Sequence, residues 1–344
     1  MHSSISRTSM LIAAVAALVG APSVAADDAA QFYAGRTVSV VVGHEVGTGF
    51  DIYARVLARH LDRHIPGNPA VVVQNMPGAS GVAAANWLYR VAPKDGTAMA
   101  TFVHTVPFDP LFGNKAAQFE PERFSWIGNM EESVGTCGVS RASGIAKFDD
   151  LRTRETLFGA TGATGPLTKF ALALKNLLGA RIKLVQGYKG SASVKLAMQR
   201  DEVQGVCGLP VSTLMSFWRD DWDSGAFKPI IQLSGAKHPA LRDVPHVDEY
   251  AKSDEDRQIF GLIFGAQVLG RPFATAPEVP RARLDALRAA FMATMRDPAF
   301  LADAAKTQIE ISAASGEAVA VLIARLTSVP PAVIARANEA FRRD

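Results

Sequence analysis

An α/β fold built as two sheet-containing lobes is predicted, and three observations predict it. β-branched runs alternate with helical patterns; the alternation breaks off and restarts further along; and the final part is helical throughout. A βαβαβ order argues for a parallel sheet with helices on its faces. With 344 residues the chain is long enough for two domains, each with its own core.

The start reads as an export signal. Arg7 supplies a positive n-region and Met10 to Gly20 a short apolar run. Ser23-Val24-Ala25 or Val24-Ala25-Ala26 then offers a small-residue cleavage site before Asp27-Asp28. Residues 1–26 are therefore expected to be a cleaved signal peptide. The run is short for a bilayer span, and a retained anchor is the alternative. No Cys stands at the cleavage site, which argues against lipoprotein attachment. No later stretch has the length and apolarity of a transmembrane helix, so an exported, soluble mature chain is expected.

The first block begins with Thr37–Val42, a buried strand by its β-branched run. Asp51–Leu61 follows with apolar residues at Ile52, Val56, Leu57 and Leu61, a helical spacing, with Asp51 as its expected N-cap. Val71–Gln74 is the next strand, Val82–Val91 the next helix and Ala98–Val103 the third strand. The pattern restarts with strands at Gly135–Ser140 and Leu157–Ala160, then an amphipathic helix at Leu167–Leu178 ending near Gly179. Strand, helix and strand follow at Ile182–Gln186, Val194–Arg200 and Val206–Leu209, and a further strand at Lys228–Leu233. Helices are expected at Pro280–Met295, Pro298–Thr307, Gly316–Ser328 and Pro331–Phe341, three of them opened by proline. The second block thus reads as a lobe inserted into the first, with crossings near Trp126–Met130 and Lys228–Ser234. The expected division is 27–130 plus 230–344 for the first lobe and 131–229 for the second. A cleft between lobes is a common place for a small-molecule site.

A net charge of +3 is near neutral for this length, and no basic cluster with interleaved aromatics is present. Nucleic acid is therefore not an expected partner. Cys137 and Cys207 are the two cysteines, both on strands of the inserted block. Parallel sheets often set such strands side by side, and export provides an oxidising setting. A Cys137–Cys207 disulfide is expected, with two buried free thiols as the alternative.

Two glycine-rich turns join strands to helices in the first block. One is Gly43-His44-Glu45-Val46-Gly47-Thr48-Gly49-Phe50-Asp51; the other is Asn75-Met76-Pro77-Gly78-Ala79-Ser80-Gly81. Such turns expose backbone N–H groups at helix N-termini, which suits an anionic ligand.

With these turns in view, the mature chain resembles the extracytoplasmic solute-binding receptors of tripartite tricarboxylate transporters, the Bug family. Gly47 to Asp51 followed by Ala54-Arg55 is similar to the family's first glycine-rich loop, and Asn75 to Gly81 to its Asn-x-Pro-Gly-Ala-x-Gly loop. Asp95-Gly96-Thr97, Gly187-Tyr188-Lys189-Gly190 and Asp243-Val244-Pro245 match three further turns in order. The resemblance implies a two-lobed periplasmic-binding-protein fold of type II, with a Rossmann-like sheet in each lobe and the C-terminal helices packed on the first. It implies a periplasmic receptor, not an enzyme, that closes over a small organic carboxylate and passes it to membrane transporter subunits. No cofactor or metal is implied, and a monomer is expected.

By position, the resemblance places Val46, Gly47, Thr48 and Gly49 on one side of the ligand, and Gly78, Ala79 and Ser80 on the second. Thr161, Gly162, Thr164 and Gly165 come from the other lobe, with Tyr188 at the rim. It implies recognition by backbone N–H groups, hydroxyls and waters rather than by an arginine fork. Val46-Gly47-Thr48 departs from the Pro and Gly-Gly often found there, and His44-Glu45 is unusual. A carboxylate at the mouth of an anion site raises its cost, unless the ligand carries an amine or Glu45 points outward.

Other motifs are weighed against plainer roles. Gly159 to Gly165 has the G-x-x-G-x-x-G spacing of a dinucleotide loop, but the next strand ends at Gln186-Gly187 with no acidic residue. A ligand-carboxylate loop is the favoured reading. His60 and His64 stand at i, i+4 without a third metal ligand, so a solvated face is expected. His104 follows the third strand and is a candidate for the cleft; a polar loop residue is its alternative. Ser80, Ser191 and Ser193 lack a recognisable His/Asp partner set, and no nucleophile elbow is present. Trp87, Trp126, Trp218 and Trp222 are expected to be packing or rim residues, with Trp126 beside the hinge. Arg271 is the leading candidate for a direct charge partner, with a structural arginine as its alternative. A ligand sensor for a signalling protein and a secreted hydrolase remain as rival functions.

Overall fold

A computed structural model describes residues 24–342 except Thr164 and Ala236. The expected signal peptide therefore lies outside the described residues but for its last three, which begin α1 (Val24–Tyr33). Two sheets organise the chain. The first contains β1 (Thr37–Val42), β2 (Ala70–Asn75), β3 (Ala98–Thr101), β4 (Ser125–Asn129), β10 (Pro272–Thr275) and β11 (Ala314–Ser315), in the order β11-β4-β10-β3-β1-β2. The second contains β5 (Gly135–Ser140), β6 (Thr156–Gly159), β7 (Ile182–Val185), β8 (Gly205–Pro210) and β9 (Phe227–Leu233), in the order β7-β6-β8-β5-β9.

The expected parallel arrangement holds for β2-β1-β3 and for β7-β6-β8. The remaining strands run antiparallel: β10 to β3 and β4 in the first sheet, β5 to β8 and β9 in the second. Both sheets are therefore mixed. β5 and β10, each antiparallel to both neighbours, are the first strands after the chain passes from one sheet to the other; the two-residue β11 also runs antiparallel, to β4.

β1 shows why this core forms. Val38, Val40 and Val42 pack to one face of the first sheet, against α2 (Gly49–Leu61), α9 (Arg281–Thr294) and α10 (Pro298–Lys306). Val41 faces the other side with α3 (Val82–Arg90) and α11 (Gly316–Thr327). A strand covered on both faces reads as a continuous apolar run. α2 meets β1 with Tyr53, Ala54, Val56, Leu57 and Leu61 buried. Its N-cap is Thr48, whose hydroxyl accepts from the Asp51 N–H. Asp51 is thus inside the first turn rather than the cap as expected. It accepts from the Gly47 N–H at 2.8 Å and pairs with Arg55.

In the second sheet α4 (Pro166–Leu178) ends on Gly179 in a left-handed conformation, as its glycine predicts. After α5 (Ser191–Gln199), α6 (Val211–Met215) and α7 (Arg219–Asp223) comes α8 (Asp254–Phe264), which packs with α4, as does α12 (Pro331–Ala340). That placement corrects the expectation that all the C-terminal helices cover the first lobe. Val333, Ala337 and Ala340 of α12 are buried in the second lobe's core instead. The expected division before residue 230 also falls inside β9, which pairs along its length with β5. The chain returns to the first sheet later, through Gly265–Arg271.

Cys137 on β5 and Cys207 on β8 form a disulfide, with 4.0 Å between their Cα atoms and a sequence separation of 70. The strands are neighbours as expected, but antiparallel, with irregular register at this point. Among the described residues no single helix is long and apolar enough to cross a membrane.

Candidate functional site: a polar floor between two sheets

β1 and β3 end side by side at Val42 and Thr101, and β10 starts beside them. In open α/β sheets, ligand sites form outside the carboxyl ends of the strands. The second sheet offers the matching edge, where β6 and β8 end and β5 begins. The two edges face each other across Met130–Val134 and Gly265–Arg271. These two crossing segments are stitched together. Gly270 donates its N–H to the Glu131 carbonyl at 3.0 Å, and Met130 to that of Arg271 at 3.0 Å. Asn129 braces both, donating to Glu131 at 2.6 Å and to Val268 at 3.0 Å.

The loops named from the sequence line this region unequally. In the first, Val46 is 70% exposed and Glu45 is exposed as well. Glu45 thus points outward. The Gly47 N–H is consumed by Asp51, and the Thr48 hydroxyl donates to the Glu45 carbonyl at 2.9 Å. Among the described residues the Gly49 and Phe50 N–H groups find no acceptor, as expected for the first turn of a helix.

The second loop is conformationally special. Ala79 and Ser80 have φ of 44° and 55°, the left-handed region that costs a side-chain-bearing residue energy. Gly78 and Gly81 flank them, also at positive φ. The loop closes with the Gly81 N–H donating to the Gly78 carbonyl at 2.9 Å. The hydroxyl-bearing Ser80 is half-buried; Gly78 and Ala79 are exposed.

From the second lobe, Thr161 and Gly162 stand before the N-terminus of α4, which has no side-chain cap. Thr164 lies outside the described residues. Thr161 Oγ1 is buried without a hydrogen-bond partner among the described residues. A Cβ on Gly165 would clash with that atom, whereas one on Gly162 would meet nothing within 4 Å. Tyr188 is half-buried and donates its backbone N–H to Ala160.

The floor carries charge that the loops lack. Arg271 is 6% exposed, at the start of β10. Its guanidinium lies 4.6 Å from the ring centroids of both Phe50 and Tyr53, and donates to the Gly270 carbonyl at 2.6 Å. Glu131 is buried opposite, with Oε2 3.6 Å from Arg271 Nη2 and Oε1 accepting from Ser212 at 2.6 Å. His104 is buried with its ring against Phe170 of α4, and His44 stacks on Phe50. Burial first, then the Arg271 charge, push His44 down to about 4. The same two causes, joined by Lys169 and His44, push His104 down to about 3. Both rings are therefore neutral hydrogen-bonding groups at pH 7.

Other candidates fall elsewhere. Trp126 is buried in the first core and donates to the Pro121 carbonyl; Trp218 is buried in the second lobe. His60 and His64 pair with Asp303 and Asp297, each at 2.8 Å, and not with each other. No group of three or more metal-ligating side chains occurs among the described residues. Glu131 and Ser133 were not singled out from sequence. Their signal is the polar run Glu131-Glu132-Ser133, just past a buried strand at an expected crossing.

A sequence model of the tripartite tricarboxylate transporter family receptor, TctC, matches residues 53–338. A Cupriavidus necator protein, the UPF0065 protein in the gbd 5' region, is 23% identical over 291 residues, covering 81% of this chain and 82% of that one. The structure of the periplasmic binding protein BugD superposes with a TM-score of 0.67 at 20% identity, over 90% of this chain and 98% of its own. MatC from Rhodopseudomonas palustris with bound malate gives a TM-score of 0.65 at 17% identity, over 89% and 99%. At these identities the structural likeness is one of fold.

Proposed function

The chain belongs to the tripartite tricarboxylate transporter family of receptors, and we infer from this that it is an extracytoplasmic solute-binding receptor. It captures a small organic carboxylate between its two lobes and delivers it to the membrane subunits of a tripartite tricarboxylate-type transporter. Family and fold are those of receptors, not enzymes. The family match across residues 53–338 carries the reading. A cationic Arg271 at the facing strand ends supports the carboxylate, as does the malate held by the R. palustris neighbour.

The proposed ligand-contacting set is Thr48, Gly49, Gly78 to Ser80, His104, Thr161, Gly162, Gly165 and Tyr188, with Arg271 beneath them. Gly47 and Val46 are rim positions, the first with its N–H already engaged. The proposed second lobe runs from residue 131 through β9 and takes in α8 and α12; the rest forms the first. A periplasmic location, reached through a cleaved signal peptide, is supported by the family and by the Cys137–Cys207 disulfide. The working unit is proposed to be a monomer, one chain closing on one ligand.

The test is a thermal-shift screen of the periplasmic protein against mono-, di- and tricarboxylates and amino acids. A ligand at a hundredfold excess over its Kd stabilises the native state by about 2.7 kcal/mol. A stabilising carboxylate is expected; stabilisation by none of them would overturn the reading.

A further inference from the structure

Five floor side chains are more than nine-tenths buried, and each leaves a polar atom without a hydrogen-bond partner among the described residues. They are Arg271 (Nε), Glu131 (Oε2), Ser133 (Oγ), His104 (Nε2) and Thr101 (Oγ1). Buried polar atoms almost always find partners. Their concentration at one meeting of strand ends marks the place where a ligand's polar groups are received.

Arg271 and Glu131 are fixed from behind. Phe50, Tyr53 and the Gly270 carbonyl hold the guanidinium, and Ser212 holds the far oxygen of the carboxylate. Their facing atoms stand 3.6 Å apart, too far for a hydrogen bond. Each therefore keeps bonding capacity for a third group. Ser133 adjoins them, since a Cβ on Gly270 would meet the Glu131 carbonyl at 2.7 Å and the Ser133 Cβ at 2.9 Å.

The formal charge of this floor is zero. Arg271 offsets Glu131, and Lys169 offsets Asp109 at 2.8 Å nearby. A ligand with a lone carboxylate would satisfy Arg271 and leave Glu131 to Ser212 and the neighbouring Tyr53 hydroxyl, with Oε2 still short of a close donor. One with a second carboxylate aimed at Glu131 would be repelled, strongly so away from water. Resting on the carboxylate reading above, we propose that the ligand bears a hydrogen-bond donor, hydroxyl or ammonium, on the carbon next to a carboxylate. Arg271 takes the carboxylate and Glu131 the donor. The short gap between the two residues requires the two ligand groups to be immediate neighbours. Arg271 and Glu131 are then the residues that set specificity.

Calorimetry with matched ligands tests this: propionate, lactate and alanine, and succinate, malate and aspartate. The wild-type protein is expected to bind a 2-hydroxy or 2-amino member at least tenfold tighter than its unsubstituted parent in one series. Which substituent wins separates hydroxyl from ammonium. Glu131→Gln is expected to shrink that preference to within threefold, and Arg271→Gln to weaken all members. Should Glu131→Gln not fold, Glu131→Asp, which draws the charge back, is expected to weaken only the substituted members. Equal or tighter binding of the parent in both series overturns the inference and leaves the carboxylate receptor standing. So does a preference that survives Glu131→Gln. Binding of no carboxylate at all overturns both.

Discussion

Lys169 on α4 places its ammonium 2.8 Å from the Asp109 carboxylate, joining a helix of the second sheet to the segment that leaves β3 of the first. The side chains are 9% and 3% exposed. Asn114 gives Asp109 a second donor at 3.2 Å. Removing one partner of a buried ion pair strands the other charge, at a cost of about 3–5 kcal/mol. Lys169→Met should destabilise by about that amount in urea unfolding, and adding Asp109→Leu should recover most of it. A single-variant loss below about 1 kcal/mol would mean that water reaches the carboxylate.

The two glycines before α4 separate a folding role from a binding role. A Cβ at Gly162 meets nothing within 4 Å, and its φ is not in the left-handed region. Gly162→Val should therefore melt within a few degrees of wild type yet bind ligand at least about tenfold more weakly, a loss of roughly 1.4 kcal/mol. At Gly165 the new Cβ would collide with Thr161 Oγ1. Gly165→Ala should lose about 1–3 kcal/mol of stability, and Thr161→Ala should restore part of it. Unchanged affinity in Gly162→Val would move the ligand away from this loop.

The disulfide closes a loop of 70 residues. The chain-entropy account gives about 4 kcal/mol for such a loop. The paired Cys137→Ala, Cys207→Ala variant should unfold at lower denaturant by about that much, with ligand affinity unchanged because both cysteines lie within one lobe. A parallel fall in affinity would show that the bond also shapes the cleft.

Acid should loosen the attachment of α10 to α2 and the turn that follows it. His64, with backbone donors and Arg63 behind it, holds the Asp297 carboxyl at about 2, below its ordinary 3.8. Arg59 and then His60 hold Asp303 at about 2 in the same way. A carboxyl lowered by folding stabilises above its unfolded pKa, and that contribution fades as pH falls towards the folded value. The window is therefore from about pH 4 down to about pH 2. The Asp297→Asn, Asp303→Asn variant should show a flatter loss of stability than wild type across it. Identical profiles would remove these pairs from the account. High salt should also narrow the difference, since the pairs are largely at the surface.

Elements with strong local signals were legible in the sequence. β1 was found to the residue, and α4 with its Gly179 cap nearly so, because periodicity and terminal residues report on a few neighbours. The cysteine pairing followed from placing two strands in one block. What failed was long-range. α12 has an amphipathic pattern that says it packs, but not that its partners are α4 and α8. Glu131 and Arg271 face each other across 140 residues of sequence and meet because two crossings run side by side. Glu45 looked suspicious through its neighbours in sequence, and its outward direction depends on a turn held by Asp51 and Thr48.

The placement of α12 also sets an order of events during biosynthesis. The lobe that starts at β5 fills its core with Val333, Ala337 and Ala340. Those residues leave the ribosome, or emerge from a translocation pore, long after the sheet they complete. Until then the apolar flank of α4 and α8 stays uncovered, on a lobe whose strands are all already made. Such a surface is a natural stop for a holding chaperone. Chains cut short before residue 331 should persist as clients of such chaperones instead of accumulating as native protein.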